Sequence, residues 1–143
     1  MLIGISPLIS PDLLALLHRM GHGDEIVLAD AHFPGETVGQ RLLRADGLRI
    51  APLLAGILPL FALDAYVEHP VMMMAAVPDD TADPAVATSY RAVIDKHWPE
   101  TPPILDLERF AFYERARQAF AVVMTGETAK YGNIILKKGV TPV

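Results

Sequence analysis

The chain has 143 residues, of which 52% are hydrophobic and 20% are charged, and its formal net charge at pH 7 is −5. This length fits one domain over residues 1–143, with enough apolar side chains for a buried core. The acidic balance argues against a nucleic-acid partner, and the absence of cysteine excludes disulfides and thiolate metal sites.

The first predicted elements are a helix and a short strand. Ser10 can cap the helix and Pro11 suits its first position, while leucines at helical spacing follow. Gly21 is predicted to end the helix as a left-handed cap. The largely apolar run at Glu25–Ala29 then predicts a buried strand.

The rest of the chain continues the alternation of helices and strands. The predicted elements are a short helix at 52–58, a strand at 71–77, a helix capped by Asp83 and Pro84, a strand at 104–107, a helix at 109–118, and strands at 120–125 and 133–136. Such alternation predicts an α/β fold, a single layered domain whose mostly parallel or mixed sheet is flanked by helices.

Titratable side chains lie at both ends of the first predicted strand. His22 and Asp24 precede it, and Asp30 and His32 follow it. Side chains at strand ends commonly carry the chemistry of α/β proteins. Histidine titrates near neutral pH and a nearby carboxylate such as Asp24 or Asp30 can fix its tautomer, so His22 is a candidate proton-transfer group. The structural alternative is a hydrogen bond from His22 that only closes the helix end.

A metal or a cofactor is not expected at this position. His18 and His22 have the spacing of two metal ligands on one helical face, but Gly21 interrupts that helix and no acidic third ligand accompanies them. His18 is therefore predicted to be a surface residue. The motifs GxGxxG, GxxxxGK[ST] and GxSxG are absent, so the sequence indicates acid–base chemistry by side chains alone.

A turn between the last two predicted strands carries polar groups. Tyr131, Gly132 and Asn133 form either a plain turn or a clamp for the hydroxyl groups of a polyol, because the amide of Asn133 both donates and accepts hydrogen bonds.

Two further groups are candidates for a binding site. Arg109 and Tyr113 share one helix face, where the arginine can bind an oxygen-rich ligand or simply pair with Glu108 or Asp106. Met72–Met74 is expected to be core, with one or two of these side chains lining a pocket.

No apolar run reaches the roughly 18 residues of a membrane span, and the first residues do not resemble a signal peptide. The expectation is a cytoplasmic protein with no membrane partner. High apolar content in a small chain also predicts a homo-oligomer, with a monomer of apolar surface as the alternative.

Six stretches spread over nearly the whole chain form a specific combination. They are ISPLISP at 5–11, MGHGDE at 20–25, DAHFP at 30–34, RADG at 44–47, FAFYERA at 110–116, and TGE, KYGN and KKG within 125–139. With them the chain resembles the superfamily of D-ribose pyranases and L-fucose mutarotases. The AHFP stretch is similar to the fucose branch, whereas the segment 78–103 carries no recognisable motif.

The resemblance implies roles for particular residues. It makes His22 the proton donor and gives Asp64 a second acid–base role. The residues it implies for sugar binding are Asp30, Met74, Arg109, Tyr113, Tyr131, Gly132 and Asn133. It also implies that no cofactor is used and that bacterial members assemble as rings stacked into a decamer, with sites near subunit boundaries.

The activity implied by the resemblance is that of an isomerase, which interconverts the α and β anomers of L-fucose. His22 then needs a complementary proton-transfer group, either Asp64 or a tyrosine hydroxyl, and Met74 or Phe33 would accept the methyl group of fucose. The alternatives are a pyranase acting on D-ribose and a non-catalytic module that binds monosaccharides.

Overall fold

The computed structural model describes all 143 residues and is built around one six-stranded sheet. The strands are β1 (Glu25–Ala29), β2 (Leu42–Ala45), β3 (Val71–Met74), β4 (Leu105–Leu107), β5 (Ala121–Thr125) and β6 (Ile134–Lys137). The helices are α1 (Pro11–Arg19), α2 (Gly35–Val38), α3 (Ile50–Ile57), α4 (Pro84–His97) and α5 (Arg109–Gln118), and a 3₁₀ turn covers Leu58–Leu60. The predicted α/β fold with a mixed sheet is confirmed.

The strand order is β2-β5-β1-β6-β3-β4, and β6 alone runs antiparallel to its neighbours. The ends of the five other strands therefore meet the start of β6 at one edge of the sheet. We call this the carboxyl edge; it carries Asp30 and Asn133. The opposite edge, which carries Asp24 and Lys138, is the amino edge.

Strand β1 is buried on both faces, as expected for a central strand between helical layers. Ile26 and Leu28 belong to a core of 22 buried residues shared with α1, α3 and α4. Val27 and Ala29 belong to a second core of 12 buried residues, which includes side chains of α2 and α5. The same alternation places Met73 in the first core and Met74 in the second.

Some element bounds differ from the prediction. The strand predicted at 71–77 ends at Met74, since its partner β4 ends at Leu107 and Glu108 already caps the next helix. Elements β2 and α2 were not predicted, because each has only four residues and is too short for a periodic pattern. No helix is both long and apolar enough to cross a bilayer.

Candidate functional site

His22 lies on a tight turn at the amino edge, between α1 and β1. Helix α1 ends at Met20, whose backbone is extended. The carboxylate of Asp24 accepts a hydrogen bond from the Gly21 amide at 2.7 Å, and the Asp24 amide donates to the Gly21 carbonyl at 3.2 Å. The left-handed residue is Gly23, with φ of 87°, so the left-handed cap predicted at Gly21 is wrong. The turn itself needs positive φ at its third residue.

Lys138 holds this turn in place from the end of β6. Its carbonyl accepts a hydrogen bond from the Gly23 amide at 2.8 Å. Its ammonium group donates to the carbonyls of Leu17 and Met20 at 2.9 and 2.6 Å, which satisfies free carbonyls at the end of α1. The backbone on both sides of His22 is therefore fixed, while 47% of its side chain is exposed.

The imidazole of His22 pairs with the carboxylate of Asp64. Its Nε2 lies 3.1 Å from Oδ1 of Asp64, a residue 42 positions further along the chain. The neighbouring acids that the sequence suggested as partners, Asp24 and Asp30, do not make this contact: Asp24 binds the turn and Asp30 lies at the other end of β1. The prediction of their role in orienting His22 is wrong.

Asp64 is held by the backbone around it. Its amide donates to the Lys137 carbonyl at 3.0 Å, and its Oδ1 accepts a hydrogen bond from the Tyr66 amide at 3.0 Å. Burial alone would raise the pKa of this carboxyl, but the hydrogen bonds from Tyr66 and His22 lower the pKa below its ordinary value. Asp64 is therefore an ionised anchor that orients the imidazole.

Tyr66 was not foreseen from the sequence. Its ring centroid lies 5.4 Å from that of His22, and the residue is 78% exposed. The amino edge thus presents two rings to solvent beside one buried carboxylate.

The carboxyl edge holds a pocket of about 320 Å³, which is within the range of small-molecule sites. It lies on the side of the sheet that α5 covers. The residues that line it are Asp30, His32, Phe33, Met74, Val77, Arg109, Tyr113, Lys130, Tyr131 and Asn133. Six of the seven predicted sugar-binding residues are among them, and the seventh, Gly132, is buried in the adjoining turn.

Asp30 is the buried anchor of this pocket. Its amide donates to Oδ1 of Asn133 at 2.7 Å, and its own Oδ1 accepts from the His32 amide at 3.0 Å. Burial raises the pKa of the Asp30 carboxyl above its ordinary value, while backbone N–H groups, first that of His32, oppose the increase. A carboxylate and an amide fixed side by side can bind neighbouring hydroxyl groups.

The turn that carries Tyr131 is tightly packed. Tyr131 has a φ of 59°, which is unusual for a residue with a side chain. A Cβ on Gly132 would lie 2.9 Å from the Ala129 carbonyl oxygen, so only glycine fits there. The buried hydroxyl of Tyr90 supports the turn by donating to the Gly132 carbonyl at 2.7 Å.

Arg109 has no ion-pair partner. Glu108 instead caps α5 by accepting from the amides of Phe110 and Ala111, and neither Glu108 nor Asp106 contacts the guanidinium. The guanidinium lies 5.6 Å from the ring of Tyr113, at the pocket. Of the two alternatives from the sequence, this geometry favours binding of a ligand.

The pocket also has an apolar wall formed by Phe33 and Met74. The ring of Phe33 lies 5.6 Å from that of Tyr113.

Behind Tyr131 lies Asp80, which the sequence did not indicate because no motif surrounds it. Lys130 completes the rim.

A larger depression of about 680 Å³ adjoins the amino edge. Its buried acid Glu25 is already paired, since Arg115 binds both of its oxygens, with Nη2 at 2.8 Å from Oε2, and Lys137 lies 3.4 Å away. The carboxylate of Glu25 is therefore engaged by two cations of the chain itself. No three His, Asp or Glu side chains converge as a metal site would require.

The histidine pair and the pocket lie at opposite edges of the sheet. His22 precedes β1 and Asp30 follows it, so the five strand residues alone separate them by about 16 Å. Within one chain, His22 cannot reach a molecule held by Asp30.

Fold and site together define an α/β protein with a pocket whose lining suits a small polyhydroxylated molecule and with a separate histidine–carboxylate pair. The chain belongs to the RbsD / FucU transport protein family, whose model matches residues 3–141.

Relatives and solved structures agree with that assignment. The chain is 59% identical over 143 residues to a protein named L-fucose mutarotase from Histophilus somni, covering all of this chain and 99% of that protein. The fucose mutarotase of Streptococcus pneumoniae in complex with L-fucose superposes with a TM-score of 0.94 at 48% identity, covering 99% of this chain and 100% of that one. The RbsD of Bacillus subtilis complexed with D-ribose is more distant, with a TM-score of 0.72 at 26% identity over 99% of this chain and 100% of that one.

Proposed function

We propose that the protein is an L-fucose mutarotase, an isomerase that interconverts the α and β anomers of the sugar without a cofactor. The observation that carries this proposal is the pairing of a polyol-type pocket with a histidine–carboxylate pair in a chain 59% identical to L-fucose mutarotases. The apolar wall of Phe33 and Met74 suits the methyl group of fucose, which ribose lacks.

The reaction needs only proton transfers. A base takes the proton from the anomeric hydroxyl, C1 becomes a carbonyl as its bond to the ring oxygen breaks, and an acid protonates that oxygen. Rotation about the bond between C1 and C2 turns the other face of the carbonyl toward the hydroxyl, and the reverse steps close the ring. Each positioned proton-transfer group contributes about 10²–10⁴-fold.

The residues of the two edges divide this work. His22 is the proposed proton donor and acceptor, and Asp64 is its proposed acid–base partner, which holds the imidazole at 3.1 Å. Asp30, Arg109 and the turn of Tyr131, Gly132 and Asn133 are proposed to hold the sugar hydroxyls. Met74 and Tyr113 are proposed to contact the carbon side of the ring.

Because His22 and the pocket of the same chain are too far apart, we propose that His22 of one copy acts in the pocket of another. The exposed rings of His22 and Tyr66 form a protruding surface at the amino edge, and Phe110, 68% exposed, lies beside Arg109 at the pocket rim. A contact of the amino edge of one copy with the carboxyl edge of the next joins different surfaces, and such a contact forms a ring when its rotation closes. It supports a homo-oligomer; the proposed decamer of stacked rings rests on the family resemblance.

The proposed location is the cytoplasm, which fractionation of producing cells would test.

Saturation-transfer NMR on the anomeric protons tests the activity. Added protein is expected to speed anomer exchange of L-fucose more than that of D-ribose. Faster exchange of D-ribose would instead identify a pyranase.

A non-catalytic monosaccharide-binding module is the second candidate, since the matching family is described as one of transport proteins and the pocket is complete without His22. Tight binding of L-fucose with no acceleration of exchange would favour that candidate. The two experiments use the same sample, so binding and exchange can be compared directly.

A further inference from the structure

The segment between β3 and α4 contacts the pocket from behind through one carboxylate, that of Asp80. The phenol of Tyr131 donates a hydrogen bond to Oδ2 of Asp80 at 2.6 Å. The ammonium group of Lys130 donates to both oxygens, at 2.9 and 3.0 Å, and the Thr81 amide donates to Oδ1 at 2.8 Å. The carboxylate thus joins the loop after β3 to the loop between β5 and β6.

Asp80 does not itself line the pocket, whereas Tyr131 and Lys130 do. The carboxylate of Asp80 can therefore act on a bound molecule through these two side chains, while its backbone reaches the pocket through Val77, whose carbonyl accepts from the Asp80 amide at 3.1 Å. Tyr131 depends on such support, because its left-handed backbone is strained for a residue with a side chain. Tyr90 supports the backbone of the same turn, and Asp80 supports the tip of the ring.

The hydrogen bond also decides which role the phenol can have. A phenol has one hydroxyl proton, and Tyr131 uses that proton in its hydrogen bond to Asp80. The phenol oxygen can therefore take part in a further hydrogen bond only as the acceptor. A tyrosine in this state cannot protonate a ring oxygen without first losing its contact with the carboxylate.

We propose that Asp80 is a positioning residue that turns the hydroxyl of Tyr131 away from the pocket, so that Tyr131 acts as a hydrogen-bond acceptor for a sugar hydroxyl and not as an acid. This inference rests on the proposed function, and it removes Tyr131 from the tyrosines that the sequence allowed as an alternative to Asp64. It assigns proton transfer to the histidine pair and sugar selection to Tyr131.

The ionisation of the two groups agrees with this geometry. The hydrogen bond to Asp80 raises the pKa of Tyr131, and the bonds from Tyr131 and Lys130 lower the pKa of Asp80 to about 2. The phenol therefore stays protonated and the carboxylate ionised throughout the neutral range.

The test compares Asp80→Asn and Tyr131→Phe with a matched control, Asp79→Asn. Asp79 is the exposed neighbour of Asp80, makes no side-chain hydrogen bond, and has a φ of 70° that asparagine tolerates. The rate at which crystalline α-L-fucose mutarotates is followed by polarimetry as a function of sugar concentration. The phenol is followed by its ultraviolet absorbance as pH rises, with Tyr131→Phe subtracted to isolate Tyr131.

Asp80→Asn is expected to raise KM about fivefold to tenfold, the effect of one weakened hydrogen-bonding group, and to change kcat less than about twofold. It is expected to lower the pKa of Tyr131 as well. Asp79→Asn leaves all three quantities unchanged. The double variant is expected to bind no worse than Tyr131→Phe alone, because both changes remove one interaction.

Several outcomes would overturn the inference. One is an unchanged KM and phenol titration in Asp80→Asn. Another is a loss of kcat of about 10²-fold or more in Tyr131→Phe at constant KM, which would make the phenol a proton donor. If the wild type itself does not accelerate exchange, the proposed function fails, while the phenol titration still tests the contact between Asp80 and Tyr131.

Discussion

The two edges of the sheet are built on different principles. At the carboxyl edge, two hydrogen-bonded pairs, Asp30 with Asn133 and Tyr131 with Asp80, hold the wall of a pocket. At the amino edge, one exposed imidazole is held by a single buried carboxylate. On the proposed function, binding is preorganised within each chain, whereas proton transfer depends on an exposed group that meets the sugar only in a neighbouring copy.

The largest expected effect is at the amino edge. His22→Ala is expected to lose about 10²–10⁴-fold of the accelerated anomer exchange while retaining sugar binding, because it removes a proton-transfer group and no part of the pocket. Saturation-transfer NMR measures the exchange and calorimetry the binding. His18→Ala, one turn earlier and exposed, is the matched control with no expected effect. Exchange at the wild-type rate in His22→Ala would contradict the assigned role.

Asp64→Asn tests the second member of the histidine–carboxylate pair at the amino edge. The amide keeps the shape of the carboxylate but loses its charge, so we expect a loss of about 10²-fold in kcat at nearly constant KM. The double variant with His22→Ala is expected to be no slower than His22→Ala alone, since the two groups act as a unit. Fully additive losses would show that Asp64 acts independently of His22.

At the carboxyl edge, the expected effects fall on KM. Arg109→Met removes the unpaired guanidinium and is expected to raise KM about tenfold to a hundredfold, since hydrogen bonds from charged groups contribute about 1.5–3 kcal/mol. Arg117→Met on the same helix is the control, because Arg117 pairs with Glu114 at the surface. A change in kcat alone would place Arg109 in the chemistry and not in binding.

Substitutions at the two edges are also expected to differ in how much they reduce the free energy of unfolding. Asn133→Ala leaves the buried amide of Asp30 without its acceptor, which is expected to reduce the free energy of unfolding by about 1–3 kcal/mol. His22→Ala is expected to reduce it by less than about 1 kcal/mol, because the exposed imidazole is only one of the hydrogen-bond partners of Asp64. Urea denaturation at equal protein concentration measures both. Equal losses in the two variants would refute the contrast.

The smallest expected effect is the pH dependence of stability, which has opposite signs at the two edges. The lowered pKa of Asp64 stabilises the fold above the ordinary value of 3.8, and this contribution is lost as pH falls below it. The raised pKa of Asp30 acts in reverse: its contribution is present below 3.8 and is lost as pH rises through the folded pKa.

The Tm of Asp64→Asn is therefore expected to differ most from that of the wild type above pH 3.8. The Tm of Asp30→Asn is expected to rise relative to that of the wild type as pH increases above 3.8. Thermal unfolding across the acidic range measures both, and parallel trends would show that one of the two environments is misassigned.

The sequence predicted the fold class and most elements, and helix α5 has the predicted bounds, Arg109–Gln118. Local patterns could do this because capping and periodicity act between near neighbours. The partner of His22 could not be found in this way, since Asp64 is 42 residues distant and reaches it only through the pairing of Leu63 with Lys138. Asp80 was missed for the same reason: its partners Lys130 and Tyr131 lie on another loop.

The sequence did place His22 and Asp30 at opposite ends of a predicted strand, but it did not show which distant residues join each of them. His22 and Asp30 are close in the chain, yet a straight strand carries them apart. Only the topology shows that the residues beside each other in sequence belong to different surfaces.

The most direct test of a site shared between copies is complementation. His22→Ala and Arg109→Met chains are produced together, and the anomer exchange of the mixed oligomer is measured at a sugar concentration below the wild-type KM, where the raised KM leaves Arg109→Met about a tenth to a hundredth of the wild-type rate. If each site takes its histidine from a neighbour, random mixing leaves roughly a quarter of the sites with both residues intact, and exchange returns to about that fraction of the wild-type rate. If one chain supplied the whole site, no chain in the mixture would carry both residues, and exchange would remain at the level of the separate variants.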